Sequence, residues 1–239
     1  DAIHFIRYAP LIAKLGAKVM VECPAPLVRL FGNISGIDRI IPAGEPLPPF
    51  DFHCALPSLP QAFKTTLDTI PAEVPYLTAD PEAAKSCKHR VVRSGNLILA
   101  GLVWSGNAAN RNDRNRSIPL SKFEPLAATN RFQFHSLQIA APPANTGIAV
   151  IDHSAELKDF ADTAALIANL DLVISVDTAV AHLAAAMGKK VWLLLPFPPD
   201  WRWLLDRADS PWYPTVRLFR QTTPGEWESV IGELARAEV

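Results

Sequence analysis

The strongest constraint on the fold is a series of alternating helix and strand patterns in the last third of the chain. Residues 160–169 have helical periodicity, 172–175 form a short apolar run, 178–187 are again helical, and 190–195 are again apolar. Short apolar runs separated by helix-length segments predict βαβ units with parallel strands. We therefore expect an α/β fold in which helices cover a parallel sheet.

The alternation continues through the rest of the chain, in two halves. The first half predicts helices over 3–15 and 25–31 and strands over 18–22, 37–41 and 51–56. The second half adds strands over 97–103, 132–137 and 148–151 and helices over 120–128 and 226–237. Between the halves, residues 79–96 are basic and have little periodicity, which indicates a linker or a connecting helix. We expect two lobes, residues 1–85 and 86–239, with the final helix returning towards the first.

Composition and charge exclude several classes of protein. Apolar residues make up 49% of the chain and charged residues 20%, so it should form globular cores. A net charge of −1 argues against a nucleic-acid partner. No apolar run approaches the roughly 20 residues needed to cross a bilayer. The three cysteines match neither a disulfide framework nor a zinc site, which fits a reducing cytoplasm.

The first candidate site follows the strand at 172–175. Asp177 or Thr178 can cap the next helix, and the small side chain of Ala179 leaves room at its N-terminus. His182 lies one turn further on and could face the same ligand. A helix N-terminus at the carboxyl end of a parallel strand favours a diphosphate. The alternative is that Asp177 and Thr178 only cap the helix and His182 only packs.

The second candidate site follows the strand at 97–103. Ser105, Gly106 and Asn107 can form a loop of backbone donors, and three arginines follow within the next ten residues. The guanidinium of one of these, Arg116, could neutralise charge on a leaving diphosphate without a metal. The alternative is a solvated basic loop.

Other motifs lend less support to a specific chemistry. The sequence has no GxSxG elbow, no P-loop, no GxGxxG and no metal-ligand spacing, since residues 51–54 would alternate faces on a strand. Four aromatic residues in a proline-rich segment could line a sugar, but packing is the favoured interpretation. They are Trp201, Trp203, Trp212 and Tyr213.

Four segments together resemble a known family. They are Asp1-Ala2-Ile3-His4, Trp104-Ser105-Gly106-Asn107, Arg116-Ser117-Ile118-Pro119 and Ser175-Val176-Asp177-Thr178-Ala179-Val180-Ala181-His182. The chain resembles the heptosyltransferase-like glycosyltransferases of family 9. It is most similar to the version that forms the C-terminal part of bacterial tetratricopeptide-repeat proteins.

This resemblance implies a GT-B fold, with an N-terminal Rossmann-like acceptor lobe and a C-terminal Rossmann-like lobe for the nucleotide-sugar. It implies an inverting, metal-free enzyme that needs no cofactor beyond its donor substrate. In the family the general base is an Asp at the start of the first helix, which Asp1 matches. The Gly-rich loop and strand before that Asp are absent here, so we expect further chain upstream, including tetratricopeptide repeats.

The resemblance also assigns donor-binding residues. The Asp177–His182 stretch would lie against the diphosphate and sugar, and Arg116 would replace a family Lys on the diphosphate. The segment from Gln138 to Gly147 corresponds to the ribose site but differs from the family, so the donor base does not transfer. The predicted nucleotide-sugar-binding residues are Ser105, Gly106, Asn107, Arg116, Gln138, Asp177, Thr178, Ala179 and His182.

Two functions of different class remain open from the sequence. The first is a cytoplasmic glycosyltransferase, with peripheral membrane association left open, that acts on a glycan, a lipid-linked glycan or a protein. The second is a non-catalytic nucleotide-sugar-binding or scaffold module beside upstream repeats. A nucleotide-sugar epimerase would need additional carboxylates and histidines around the sugar, which cannot be assigned.

Overall fold

The computed structural model describes residues 1–239 and shows an α/β protein with two separate parallel sheets. The smaller sheet pairs β1 (Met20–Cys23) with β2 (Arg39–Pro42). Four short helices accompany it, and a 3₁₀ turn (Ile6–Tyr8) joins the first two into a nearly continuous helical segment. They are α1 (Ala2–Phe5), α2 (Ala9–Lys14), α3 (Val28–Phe31) and α4 (Leu59–Ala62).

Helix α5 (Pro81–Cys87) begins where the sequence provides both a cap and a stiff first turn. The Asp80 side chain accepts a hydrogen bond of 2.8 Å from the backbone N–H of Ala83, and Pro81 fits the first helical position because its missing N–H needs no partner there. Helix α5 packs on α8 (Phe160–Ala168) of the second half.

The larger sheet contains six parallel strands. In chain order they are β3 (Ile98–Val103), β4 (Phe132–Ser136), β5 (Val150–Ile151), β6 (Leu172–Val176), β7 (Lys190–Leu195) and β8 (Val216–Arg220). The remaining helices are α6 (Asp113–Arg116), α7 (Glu124–Ala127), α9 (Ala179–Ala186) and α10 (Glu228–Arg236).

The strand order β5-β4-β3-β6-β7-β8 creates a topological switch point at the centre of the sheet. The chain first builds outwards from β3 to β5 and then returns to place β6 on the other side of β3. Connections leaving β3 and β6 therefore depart to opposite faces, and a crevice opens between them at the carboxyl ends of the strands. In this register Val103 lies opposite Ser175, so residues 104–107 and 176–179 flank that crevice.

The larger sheet is apolar on both faces, as expected of parallel strands covered by helices. In β7, Val191, Leu193 and Leu195 face one core, while Trp192 and Leu194 face the other. The first core also contains the apolar residues of α1 and β1, so the two halves share buried surface. The second core is formed entirely by residues beyond 97.

Two expectations about individual elements are wrong, and one strand was missed. Residues 51–56 form no strand: Phe52 is 93% exposed, and this segment has no partner strand to bury an apolar face. Edge strand β8 was not predicted. Helix α10 does not return to the first half but packs on α7 and β8, because its apolar face joins the second core.

No helix combines the length and the apolar character needed to cross a membrane.

Candidate functional site

Two of the predicted binding residues connect the loops that follow β3 and β4. The backbone N–H of Ser105 donates to Oε1 of Gln138 at 3.2 Å, and Nε2 of Gln138 donates to Oγ of Ser105 at 2.9 Å. This reciprocal pair holds the two strand ends together on one side of the crevice. The structure therefore brings together two residues that are 33 positions apart in the sequence.

Arg116 connects the loop after β3 to the start of α9. Its Nη1 donates to the backbone carbonyl oxygen of Asp177 at 2.7 Å, and its Nε donates to Oδ1 of Asp113 at 3.1 Å. The Arg116 side chain is 16% exposed. Its two hydrogen bonds hold the guanidinium beside the crevice. A permanent positive charge thus lies at the end of β6.

The guanidinium of Arg116 occupies the space beside Gly106 where a side chain would otherwise lie. A Cβ on residue 106 would lie 2.6 Å from Cζ of Arg116, far inside van der Waals contact. The backbone N–H of Gly106 donates to Oγ of Ser117, which in turn donates to Asp113. The loop therefore closes around the guanidinium with no room for a side chain.

The N-terminus of α9 has unused hydrogen-bonding capacity. Thr178 is the N-cap residue, but its side chain makes no capping hydrogen bond; its Oγ1 instead contacts Oγ of Ser175 at 3.2 Å. The first turn contains no acidic residue, and Ala179 is exposed. The unpaired N–H groups of this turn, with the positive end of the helix dipole, favour an anion.

Asp177 and His182 face each other beside this turn. Oδ1 of Asp177 and Nε2 of His182 are 4.0 Å apart. Burial raises the pKa of the Asp177 carboxyl, an effect opposed by the indole of Trp203 and by the guanidinium groups of Arg116 and Arg202. Burial holds the pKa of His182 well below its ordinary value, with Arg202 and Arg7 adding to the effect. His182 is therefore neutral near pH 7.

A tyrosine joins His182 to the first half of the chain. The hydroxyl of Tyr213 lies 2.9 Å from Nδ1 of His182 and 2.9 Å from Nδ1 of His4. A phenolic hydroxyl has one proton, so at least one of the two rings must carry its proton on Nδ1. His182 also stacks on Trp203, with ring centroids 5.1 Å apart. The stacking and the hydrogen bond thus fix the orientation of the His182 ring.

Asp1 reaches the same region from α1. Its carboxylate forms an ion pair with Arg202, whose other terminal nitrogen binds Asp200 at 2.9 Å. The Asp1 side chain is 69% exposed, whereas that of Arg202 is 12% exposed. Arg202 also lowers the pKa of Asp177. Its guanidinium therefore interacts with one carboxyl group from each half of the chain, those of Asp1 and Asp177.

Other residues of the predicted site do not converge on the crevice. The Asn107 side chain is exposed and accepts a hydrogen bond from Ala109 within its own loop. Arg111 and Arg114 are exposed, so the structure selects Arg116 from the three nearby arginines. Arg202, Tyr213 and His4 were not predicted as part of the site. Two of them lie within the aromatic segment 201–213, and His4 lies in the first of the segments that resemble the family.

Taken together, these features define a class. A six-stranded parallel sheet with a switch point and an anion-favouring crevice between β3 and β6, together with a second parallel sheet, form a GT-B fold.

Comparison with known proteins specifies the relationship further. The model of glycosyltransferase family 9 (heptosyltransferase) matches residues 155–194, which include β6 and α9. The chain is 28% identical over 243 residues to Protein FlbA of Caulobacter vibrioides; the match covers 97% of the chain but 39% of that protein. The match to the family 9 model is thus confined to the segment around β6 and α9, and the chain spans well under half the length of this curated relative.

Two solved structures share the fold. The ADP-heptose lipopolysaccharide heptosyltransferase II of E. coli aligns with a TM-score of 0.56, over 97% of this chain and 94% of that one. A glycosyl transferase of family 9 from Veillonella parvula aligns with a TM-score of 0.59, over 100% of this chain and 89% of that one. Both are 11% identical to this chain, so they support the fold only.

Proposed function

We propose that this chain transfers a sugar, with inversion and without a metal, from a nucleotide-diphosphate-sugar to an acceptor hydroxyl. The observation that carries the proposal is the position of Arg116, which holds the carbonyl of Asp177 at the uncapped N-terminus of α9. A fixed cation and unpaired backbone N–H groups at one strand end suit a departing diphosphate.

The donor is proposed to lie in the crevice between β3 and β6. Its diphosphate would accept hydrogen bonds from the first turn of α9 and contact Arg116, while Ser105 and Gln138 would border the nucleoside. The sugar would then lie near Asp177 and His182. Since His182 is neutral there, it can donate or accept a single hydrogen bond without adding charge.

The acceptor is proposed to approach from the side of Asp1. A carboxylate beside the acceptor hydroxyl can remove its proton as the hydroxyl attacks the anomeric carbon, and the diphosphate leaves on the opposite face. A single displacement of this kind inverts the anomeric centre. A positioned general base contributes about 10²–10⁴-fold to the rate.

One observation favours the second candidate, a non-catalytic nucleotide-sugar-binding module. The Asp1 carboxylate is occupied by Arg202, and a carboxylate neutralised in this way is a poor base. Catalysis by Asp1 therefore requires that Arg202 release it when donor and acceptor are bound.

The division into an acceptor lobe (residues 1–85) and a donor lobe (residues 86–239) is part of the proposal. So are the upstream tetratricopeptide repeats and a glycan, lipid-linked glycan or protein as acceptor.

Release of nucleoside diphosphate from a panel of ADP-, UDP- and GDP-sugars, in the presence of candidate acceptors, tests the proposal. The wild-type protein should release the diphosphate, and Asp1→Asn should bind the same donor while losing at least about 10²-fold in rate. Donor binding without release by the wild-type protein would favour the non-catalytic module. Unchanged turnover by Asp1→Asn would remove Asp1 from the mechanism.

A further inference from the structure

Trp201 differs from every other tryptophan in the chain. The other five are at most 7% exposed, whereas Trp201 is 58% exposed. Burying an indole is strongly favourable, so one left in solvent beside a candidate site needs an explanation. Although it is exposed, the Trp201 ring is held in place by contacts with neighbouring side chains.

The Trp201 ring is held from two sides. Its edge meets Trp212 with ring centroids 6.2 Å apart and an interplanar angle of 81°. The guanidinium of Arg202 lies 4.8 Å from its centroid. The preceding residue, Asp200, caps the turn by accepting a hydrogen bond of 3.0 Å from the backbone N–H of Arg202. A fixed ring loses little entropy when a ligand stacks on it.

Arg202 joins this ring to the candidate general base. The guanidinium that contacts Trp201 also forms the ion pair with Asp1. The exposed indole and the exposed carboxylate are therefore neighbours around one cation. A group bound on the indole would have its hydroxyls next to that carboxylate.

The exposed indole of Trp201 and the charged groups of Asp1 and Arg202 match the chemistry of a sugar ring. One face of a pyranose presents C–H groups, which are apolar and carry slight positive charge, and these suit the electron-rich face of an indole. The hydroxyls at its rim suit the charged groups of Asp1 and Arg202. We propose that Trp201 is the platform on which a pyranose of the acceptor stacks, so that the acceptor is a carbohydrate.

This inference rests on the proposed function, because it takes Asp1 as the base that serves the acceptor. Saturation-transfer NMR with methyl α- and β-glucopyranosides at millimolar concentration tests the platform directly. Nucleoside-diphosphate binding, measured on the same samples by thermal shift, reports the donor site independently.

The wild-type protein should transfer saturation to the ring C–H protons of a glycoside. Trp201→Ala should weaken this binding about tenfold, whereas Trp201→Phe should keep a measurable part of it because an aromatic face remains. Phe52→Ala, which removes another exposed aromatic ring, is the matched control and should change nothing. All three variants should keep the wild-type thermal shift with nucleotide.

If saturation transfer to the glycoside is absent with the wild-type protein, or is undiminished with Trp201→Ala, Trp201 is not the stacking platform. Loss of the nucleotide shift in Trp201→Ala would also overturn it, because Trp201 would then belong to the donor site. Glycoside binding without any nucleotide shift would leave the platform standing and refute the proposed transferase instead.

Discussion

The guanidinium of Arg116 donates a hydrogen bond of 2.7 Å to the backbone carbonyl oxygen of Asp177, 61 residues further along the chain. This contact joins the two strand ends that flank the switch point of the larger sheet. It places a permanent cation at the N-terminus of α9 without an acidic side chain from that helix's first turn. We therefore expect the position of Arg116 to determine how tightly the crevice binds a diphosphate.

Replacing Gly106 should disturb this arrangement from the opposite side. In Gly106→Ala the new methyl group would displace Arg116, because the space for Cβ is already occupied. We expect nucleoside-diphosphate affinity to fall by about tenfold, the loss typical of one charge-assisted hydrogen bond. Calorimetric titration measures the effect. Gly232→Ala, in the middle of α10 with only a side-chain tip 3.6 Å away, is the control and should bind normally.

Arg7 is expected to contribute more to stability than any surface arginine. It is 4% exposed, and its guanidinium donates to the carbonyl oxygens of Trp212 and Pro71 and to the hydroxyl of Tyr76. Arg7→Met would remove the donor to both carbonyl oxygens, at a cost of about 2–4 kcal/mol. Urea denaturation measures the change.

Arg29→Met provides the comparison, because Arg29 is 59% exposed and pairs with Asp159 and Asp162 at the surface. Its loss should cost at most about 1 kcal/mol. Equal effects of the two substitutions would show that the Arg7 contacts contribute little.

A pair of buried histidines should make the protein sensitive to acid. Nδ1 of His135 lies 2.9 Å from Nε2 of His153, and Nε2 of His135 lies 3.1 Å from Nε2 of Gln133. Oε1 of Gln133 accepts from the backbone N–H of Ser94, so its amide nitrogen must be a donor to His135. His135 therefore carries its proton on Nδ1 and donates it to His153.

A second proton on His135 would go to Nε2, which accepts from Gln133, and would break that hydrogen bond. Burial and the neighbouring His153 lower the pKa of His135 to about 4. The unfolded chain takes up this proton near pH 6.5. Between pH 6.5 and about 4 the unfolded state binds more protons, so the free energy of unfolding should fall as the pH falls. His4, His153 and His182 have pKa values lowered mainly by burial and act in the same direction.

Urea unfolding at pH 7.5 and pH 5.0 measures this dependence. His135→Gln should reduce the difference between the two values, whereas His89→Gln, at an exposed position, should leave it unchanged. An equal pH dependence in all three proteins would rule out a role for the buried pair.

Chelation should not affect donor binding, because Arg116 and the first turn of α9 supply the positive potential that a metal would otherwise provide. Affinity for a nucleoside diphosphate should be the same in EDTA and in magnesium. Binding that disappears in EDTA and returns with magnesium would contradict this expectation.

The sequence predicts the parallel sheet and the two strand-end loops well, because both depend on local patterns. Apolar runs identify β3, β6 and β7, and the short polar residues after them identify the loops. Strand β8 (Val216–Arg220) was missed because it follows a proline- and tryptophan-rich segment and because two of its five residues are arginines. The strand predicted at 51–56 fails because no neighbouring strand pairs with it.

Long-range contacts within the site could not be predicted in the same way. Arg202 and Asp1 are 201 residues apart, and the Tyr213 hydroxyl joins His4 to His182, a histidine from each half of the chain. Such contacts depend on how the segment after β7 folds over α1, for which the sequence has no periodic signal.

Calorimetric titration of ADP, UDP and GDP into the wild-type protein and Arg116→Ala tests the central claim most directly. The wild-type protein should bind at least one of them, and Arg116→Ala should bind it about ten- to a hundredfold more weakly, with little change in thermal stability. Arg116→Lys should recover part of the affinity because it keeps the charge, and Arg114→Ala, which removes an exposed arginine from the same segment, should bind like the wild-type protein. Equal affinity of Arg116→Ala and the wild-type protein would contradict the account.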